Sequence, residues 1–166
     1  MNEDKLGLGD QKNQGGIDPV QTRKGESNMN MTGKKVLVVD DEKDLITYLS
    51  TYLSDQGFIV EAAEDGNTAL NKVKQSRPDL ITLDIVMPEK TGVKFYRELK
   101  TAPATADIPV IIITGLKPDF EKFISNRRQV PPPEGYLSKP FEQKDLLKLI
   151  ESVLAKTSPN AKKMEA

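Results

Sequence analysis

Short apolar runs alternate along this chain with longer stretches in which apolar residues recur every three or four positions. VLVV at 36–39 has the length of a buried strand, and Leu45, Tyr48, Leu49, Tyr52 and Leu53 then fall on one helical face. Gly57 ends that helix in the manner of a C-terminal glycine. FIVEAA at 58–63 predicts a second strand; after Asp65 and Gly66 the spacing of Ala69, Leu70 and Val73 predicts a second helix, closed by Pro78. LITL at 80–83 is the third strand, and Val93, Tyr96 and Leu99 mark a helix after Thr91 and Gly92. PVIII at 109–113 gives the fourth strand. The fifth unit is less regular: DFEKFISNRR at 119–128 has helical character, but Pro131, Pro132 and Pro133 force an extended approach to the strand EGYLS at 134–138. The last helix carries Leu146, Leu149, Ile150, Val153 and Leu154 on one stripe.

Strands this short and this apolar, each followed by a helix, predict an α/β domain in which a parallel sheet is covered by helices on both faces. Right-handed crossovers leave few topologies, and the expected one is the flavodoxin-like, doubly wound, five-stranded order 2-1-3-4-5. Its switch point lies between the first and third strands. The domain is expected over 33–156. Residues 1–32 are polar, rich in Gly, Asn and Gln, and read as a disordered tail; 157–166 read as a short second tail.

The candidate chemistry sits at the ends of the apolar runs. Asp40 and Asp41 follow the first strand, Asp84 the third, Thr114 the fourth and Lys139 the fifth. In an open parallel sheet those ends share one edge, so residues distant in sequence converge on one crevice. Crowded carboxylates repel one another unless they hold a cation, and one lysine with one hydroxyl beside them suits a metal-bound phosphate. Taken singly, each position has a plainer reading. Adjacent acids after a strand often belong to helix caps, and Asp44 is placed to cap the following helix. Thr114 could simply end a strand, and Tyr136 could be ordinary core.

Composition removes several classes. Lys plus Arg is 24 against 25 Asp plus Glu, which leaves no net basic charge for a nucleic-acid backbone. There is no Cys, hence no disulfide framework or thiolate metal site, and no His, so any phosphoryl group has to come from another molecule. No stretch is apolar enough to span a bilayer, and the N-terminus lacks the order of a secretory signal, so the expected location is the cytoplasm.

VVDDE at 38–42, LDIVMP at 83–88 with Gly92 following, IIITG at 111–115 and YLSKPF at 136–141 occur in this order at the ends of strands one, three, four and five. With these motifs residues 34–156 resemble the receiver domain of response regulators in two-component signalling. The resemblance implies a phosphoacceptor switch rather than an enzyme, with Asp84 as the nucleophile that becomes an aspartyl phosphate. It implies Mg²⁺ held directly by Asp41 and Asp84, through water by Asp40, and by the backbone carbonyl of Val86. Lys139 and the metal would neutralise the phosphoryl oxygens, and Thr114 would hydrogen-bond the attached group. The bond between Lys139 and Pro140 is expected to be cis. Thr114 and Tyr136 would form the switch, with the tyrosine ring turning inward after phosphorylation. The surface of the fourth helix, fifth strand and fifth helix would carry the signal.

The expected phosphodonor is a histidine kinase or phosphotransfer protein, and the expected output lies with an unidentified partner, since the sequence ends ten residues after the last predicted helix. No direct contact with nucleic acid or membrane is expected, and the oligomeric state is monomer or weak dimer. Val86 and Leu116 stand where fast receivers carry polar side chains that place the hydrolytic water, which predicts slow self-dephosphorylation. A haloacid-dehalogenase-like phosphatase would need a second acid two residues after the nucleophile, where Val86 stands. A receiver-like interaction module that works without phosphate is the other alternative; such domains often lack part of the acid set that this chain keeps.

Overall fold

The computed structural model describes residues 31–87, 91–115 and 130–157. The strands are β1 (Lys35–Val39), β2 (Ile59–Ala63), β3 (Leu80–Asp84), β4 (Val110–Thr114) and β5 (Gly135–Ser138). Four helices lie among the described residues: α1 (Lys43–Asp55), α2 (Gly66–Gln75), α3 (Thr91–Thr101) and α4 (Gln143–Thr157). The helix expected over 119–128, residues 1–30 of the tail expected over 1–32 and residues 158–166 of the tail expected over 157–166 lie outside them, and α4 corresponds to the last helix expected from the sequence. Pro88 and Leu116 also lie outside.

All five strands are parallel, in the order β2-β1-β3-β4-β5. The strands alternate between two cores, as their period of two requires. Leu37, Val39, Ile81, Leu83, Val110 and Ile112 pack with Ala69 and Val73 of α2 and with Phe95, Tyr96 and Leu99 of α3. Val36, Val38, Leu80, Ile111 and Ile113 pack on the other face with Leu49 and Leu53 of α1 and with Leu146, Ile150, Val153 and Leu154 of α4. The doubly wound sheet expected from the apolar runs is therefore the observed fold. Met31 is buried in the second core, just ahead of β1.

Several details depart from the sequence pattern. Tyr48 is 49% exposed rather than packed, because at 100° per residue it points roughly 110° away from the middle of the Leu45–Ile46–Leu49–Leu53 stripe. Phe58 precedes β2 instead of opening it, and Ile59 is 49% exposed on a strand that, among the described residues, pairs only with β1. The N-cap of α1 is Glu42, whereas Asp44 lies in the first turn. Helix α2 ends at Gln75, ahead of Pro78, and α3 includes Thr91 and Gly92 rather than following them.

Two glycines matter for what the fold positions. Gly57 follows α1 at φ +100°, a conformation that side chains with a Cβ rarely adopt, so the chain can turn from α1 into β2. Gly92 sits against the end of β3: a Cβ there would meet the carbonyl oxygens of Asp84 and Ile85 at 2.8 Å. Helix α3 thus begins flush against the backbone that carries Asp84.

Candidate functional site

The site is assembled from chain reversals at the carboxyl edge of the sheet. After β1, the Asp40 backbone N–H still donates to Ala63 O of β2 at 3.1 Å, and its side chain then closes the turn, with Oδ1 accepting from Glu42 N at 2.9 Å. After β3 the same device recurs: Asp84 Oδ1 accepts from Val86 N at 2.9 Å. Short acidic side chains make such two-residue loops readily. Each turn occupies one carboxylate oxygen and fixes the other.

Those second oxygens meet at one lysine. Lys139 Nζ lies 3.2 Å from Asp40 Oδ2, 3.2 Å from Asp84 Oδ2 and 3.3 Å from Glu42 Oε1. Its own backbone N–H donates to Thr114 O at 2.9 Å, which ties the end of β5 to the end of β4, and the Lys139–Pro140 bond is cis. Asp40 and Asp84 are buried, at 3% and 5% exposure, whereas Asp41 is exposed. One oxygen from each of Asp40, Asp41 and Asp84 nevertheless falls within 4.8 Å of the others. Thr114 is buried, and it follows Ile113, the Cα partner of Asp84 across the sheet. Tyr136 pairs with Ile112 in β5 and packs, partly buried, against the core that contains Tyr96.

Burial pushes the Asp84 carboxyl above its ordinary value; the Val86 N–H opposes this, the Asp40 charge adds to it and Lys139 opposes it. Asp40 is raised in the same way by burial, against the Glu42 N–H and Lys139. For Lys139 burial is the largest single effect and works downward, but Asp40 and Asp84 together outweigh it and hold the ammonium above its usual range. The crevice therefore keeps its cation firmly and its two buried anions under strain. An oxygen-only set of three acids at this spacing fits a small hard divalent cation that retains several waters.

The sequence pattern singled out Asp40, Asp41, Asp84, Thr114 and Lys139, and the fold brings them to one edge. It gave no role to Glu42, the third carboxylate on Lys139, nor to the Val86 N–H. A glutamate in a cap position that favours Ser, Thr, Asp or Asn was the available signal for the first.

Fold and crevice together place the chain among the doubly wound α/β domains that bind ligands at a topological switch point. Residues 36–151 match the family model of the response regulator receiver domain, and the chain belongs to that family. It is 32% identical over 121 residues to protein Rrf1 of Nitratidesulfovibrio vulgaris, covering 73% of this chain and 83% of that one. It is 33% identical over 128 residues to the phosphate regulon transcriptional regulatory protein PhoB of Escherichia coli, covering 77% of this chain and 55% of PhoB. It thus spans only about half the length of PhoB and of several other curated regulators it matches. Among solved structures, the chemotaxis protein CheY4 of Vibrio cholerae superposes with a TM-score of 0.65 at 32% identity, over 74% of this chain and 99% of that one. Aspartate phosphorylation and Mg²⁺ binding at an acidic pocket are general properties of receiver domains, which are phosphoacceptor signalling domains and not conventional enzymes.

Proposed function

We propose that this receiver accepts a phosphoryl group on Asp84 from a phosphohistidine of a histidine kinase or phosphotransfer protein. The observation that carries this reading is the placement of Asp84: buried, one oxygen fixed by Val86 N, the other 3.2 Å from Lys139 Nζ, and two further acids within reach. A carboxylate oxygen of Asp84 attacks phosphorus in line; the phosphorus–nitrogen bond breaks and its electron pair leaves with the imidazole. An acyl phosphate results, which water later cleaves. The burial that raises the proton affinity of Asp84 also makes its carboxylate a better electron-pair donor. Lys139 takes phosphoryl oxygens from the β5 side, and Thr114 hydrogen-bonds the attached group. Asp41, Asp84 and the Val86 carbonyl would hold Mg²⁺, with Asp40 acting through water, and the metal would supply charge neutralisation to the phosphoryl oxygens.

The output in this proposal is a change of the surface of β5 and α4 together with the fourth helix expected from the sequence, whose residues 119–128 lie outside the described ones, reached through Thr114 and Tyr136 and read by a partner protein. The working location is the cytoplasm, as a monomer or weak dimer; no helix among the described residues is long and apolar enough to cross a membrane. Balanced charge argues against direct nucleic-acid binding by this chain, 24 basic against 25 acidic residues. What PhoB's name says of transcription belongs to a protein of which this chain covers 55%.

Incubation with a radiolabelled small acyl phosphate and Mg²⁺ tests the reading: wild-type protein should incorporate label and Asp84→Ala should incorporate none. Equal labelling of the two would remove Asp84 from the role. A wild-type chain that takes no label under any metal condition would favour a phosphate-independent interaction module.

The lifetime of the aspartyl phosphate should be long. Val86, 50% exposed two residues beyond Asp84, has no polar side-chain group with which to orient the hydrolytic water, so the barrier lacks a positioning contribution. Val86→Asn should speed loss of phosphate from purified phosphoprotein by about tenfold, within the range of general acid–base and positioning effects. An unchanged rate would place the control of hydrolysis elsewhere.

A further inference from the structure

Lysine has three ammonium protons to donate, and among the described residues Lys139 has three carboxylate partners: Asp40 Oδ2, Asp84 Oδ2 and Glu42 Oε1. No donor is left over for an arriving phosphoryl group, so one of the three contacts has to be surrendered. They are not equivalent. The Asp40 and Asp84 side chains are 4% and 6% exposed and locked by their turns, whereas the Glu42 side chain is 63% exposed and its contact, at 3.3 Å, is the longest. Surrendering Glu42 strands no buried charge, because its carboxylate goes back to water.

Glu42 also breaks a local rule. It occupies the N-cap of α1, yet its side chain makes no cap hydrogen bond, and α1 starts without the side-chain acceptor that α2 receives from Asp65. A helix left uncapped by a residue whose carboxylate reaches instead across to the end of β5 is the kind of local inconsistency expected at a functional position.

From these observations we infer that Glu42 is a positioning residue whose carboxylate stands in for a phosphoryl oxygen on Lys139, holding the ammonium at the mouth of the crevice until a phosphoryl group displaces it. The inference rests on the proposed role of Asp84 and Lys139. Glu42 thereby competes with the phosphoryl group, and shortening or neutralising it should favour the phosphorylated arrangement.

The test is equilibrium binding of beryllium trifluoride, a phosphoryl mimic, to full-length protein with saturating Mg²⁺ at physiological salt, for wild type, Glu42→Gln and Glu42→Asp. An exposed ion pair contributes up to roughly 1 kcal/mol, so both variants should bind the mimic about twofold to fivefold more tightly. The aspartate variant decides the mechanism: it keeps the negative charge but is one methylene too short to reach Lys139. If Glu42→Gln gains affinity and Glu42→Asp does not, simple charge repulsion is the cause and the placeholder role is overturned. Unchanged affinity in both variants overturns it as well, while leaving the phosphoacceptor reading intact. Failure of the wild type itself to bind the mimic would overturn both.

Discussion

Replacing Glu134 by Gln should destabilise the domain by about 2–3 kcal/mol, more than the loss from removing the lysine it partners. The Lys100 side chain on α3 is 1% exposed, and its Nζ donates to Ile108 O at 2.8 Å, to Ala106 O at 3.4 Å and to the two oxygens of Glu134 at 3.0 and 3.2 Å. Glu134, just ahead of β5, has a side chain 33% exposed and also accepts from Val110 N at 2.7 Å. The asymmetry in burial sets the order of effects. Glu134→Gln keeps an oxygen for Val110 but leaves an ammonium in the interior with only carbonyl dipoles around it. Lys100→Met removes the buried charge and fills most of its space, and the Glu134 carboxylate left behind can reach water. The double variant should therefore be more stable than Glu134→Gln alone. Urea denaturation of the three variants gives the ranking directly. A greater loss for Lys100→Met than for Glu134→Gln would show that the unpaired buried ammonium is not the larger liability.

The same contacts bear on the connection that the three prolines predicted to be extended. Residues 130–133 are not helical, and Tyr96, four residues ahead of Lys100, donates its hydroxyl to Pro131 O at 2.7 Å. Burial holds the Tyr96 hydroxyl well above its ordinary proton affinity, with the Glu134 charge adding to the effect. One face of α3 thus fastens the approach to β5, whose far end delivers Lys139 to the site. The start of β5 is fixed by these contacts, and any movement on phosphorylation should concentrate at its end.

How much of this was legible beforehand depends on the kind of signal. Strands buried on both faces, such as Leu80–Asp84 and Val110–Thr114, leave continuous apolar runs that fix number and order, and acids or a lysine terminating such runs mark the crevice edge. Lys100 was missed although it stands four residues after Tyr96 on the apolar stripe of α3. A charge in such a position signals a buried partner, but the partner lies 34 residues away beyond the prolines, where helical spacing carries no information. Glu42 was missed for a similar reason: its contact with Lys139 spans 97 residues and depends on how two chain ends face each other across the sheet. Tyr48 was misplaced because a stripe of five apolar positions is wider than the surface that α1 buries.

The melting temperature of the wild-type domain should rise by about 10 °C on adding Mg²⁺ at a hundred times its dissociation constant, a stabilisation of about 2.7 kcal/mol, and Asp41→Asn should remove most of that rise. The two buried acids are the source of this gain. Asp40 and Asp84 are raised above 3.8 in the folded protein, burial being the main cause for each. A group raised in this way contributes stability that is fully present below its unfolded value and is lost as pH rises through its folded value. At neutral pH without metal, both therefore weigh against the folded state. The raised Lys139 contributes in the opposite sense there, because its stabilisation persists until strongly alkaline pH. One ammonium shared among three carboxylates does not neutralise the site, and a divalent cation would supply the missing charge. The gain from Mg²⁺ should accordingly be largest near pH 7.5 and shrink near pH 5, as protons begin to compete for the same oxygens. By the same reasoning, Asp84→Asn should raise the melting temperature of metal-free protein while abolishing phosphorylation. Thermal melts at both pH values, in chelator and in Mg²⁺, would show whether the cation binds at these acids: identical melting temperatures near pH 7.5 in wild-type protein would mean that it does not.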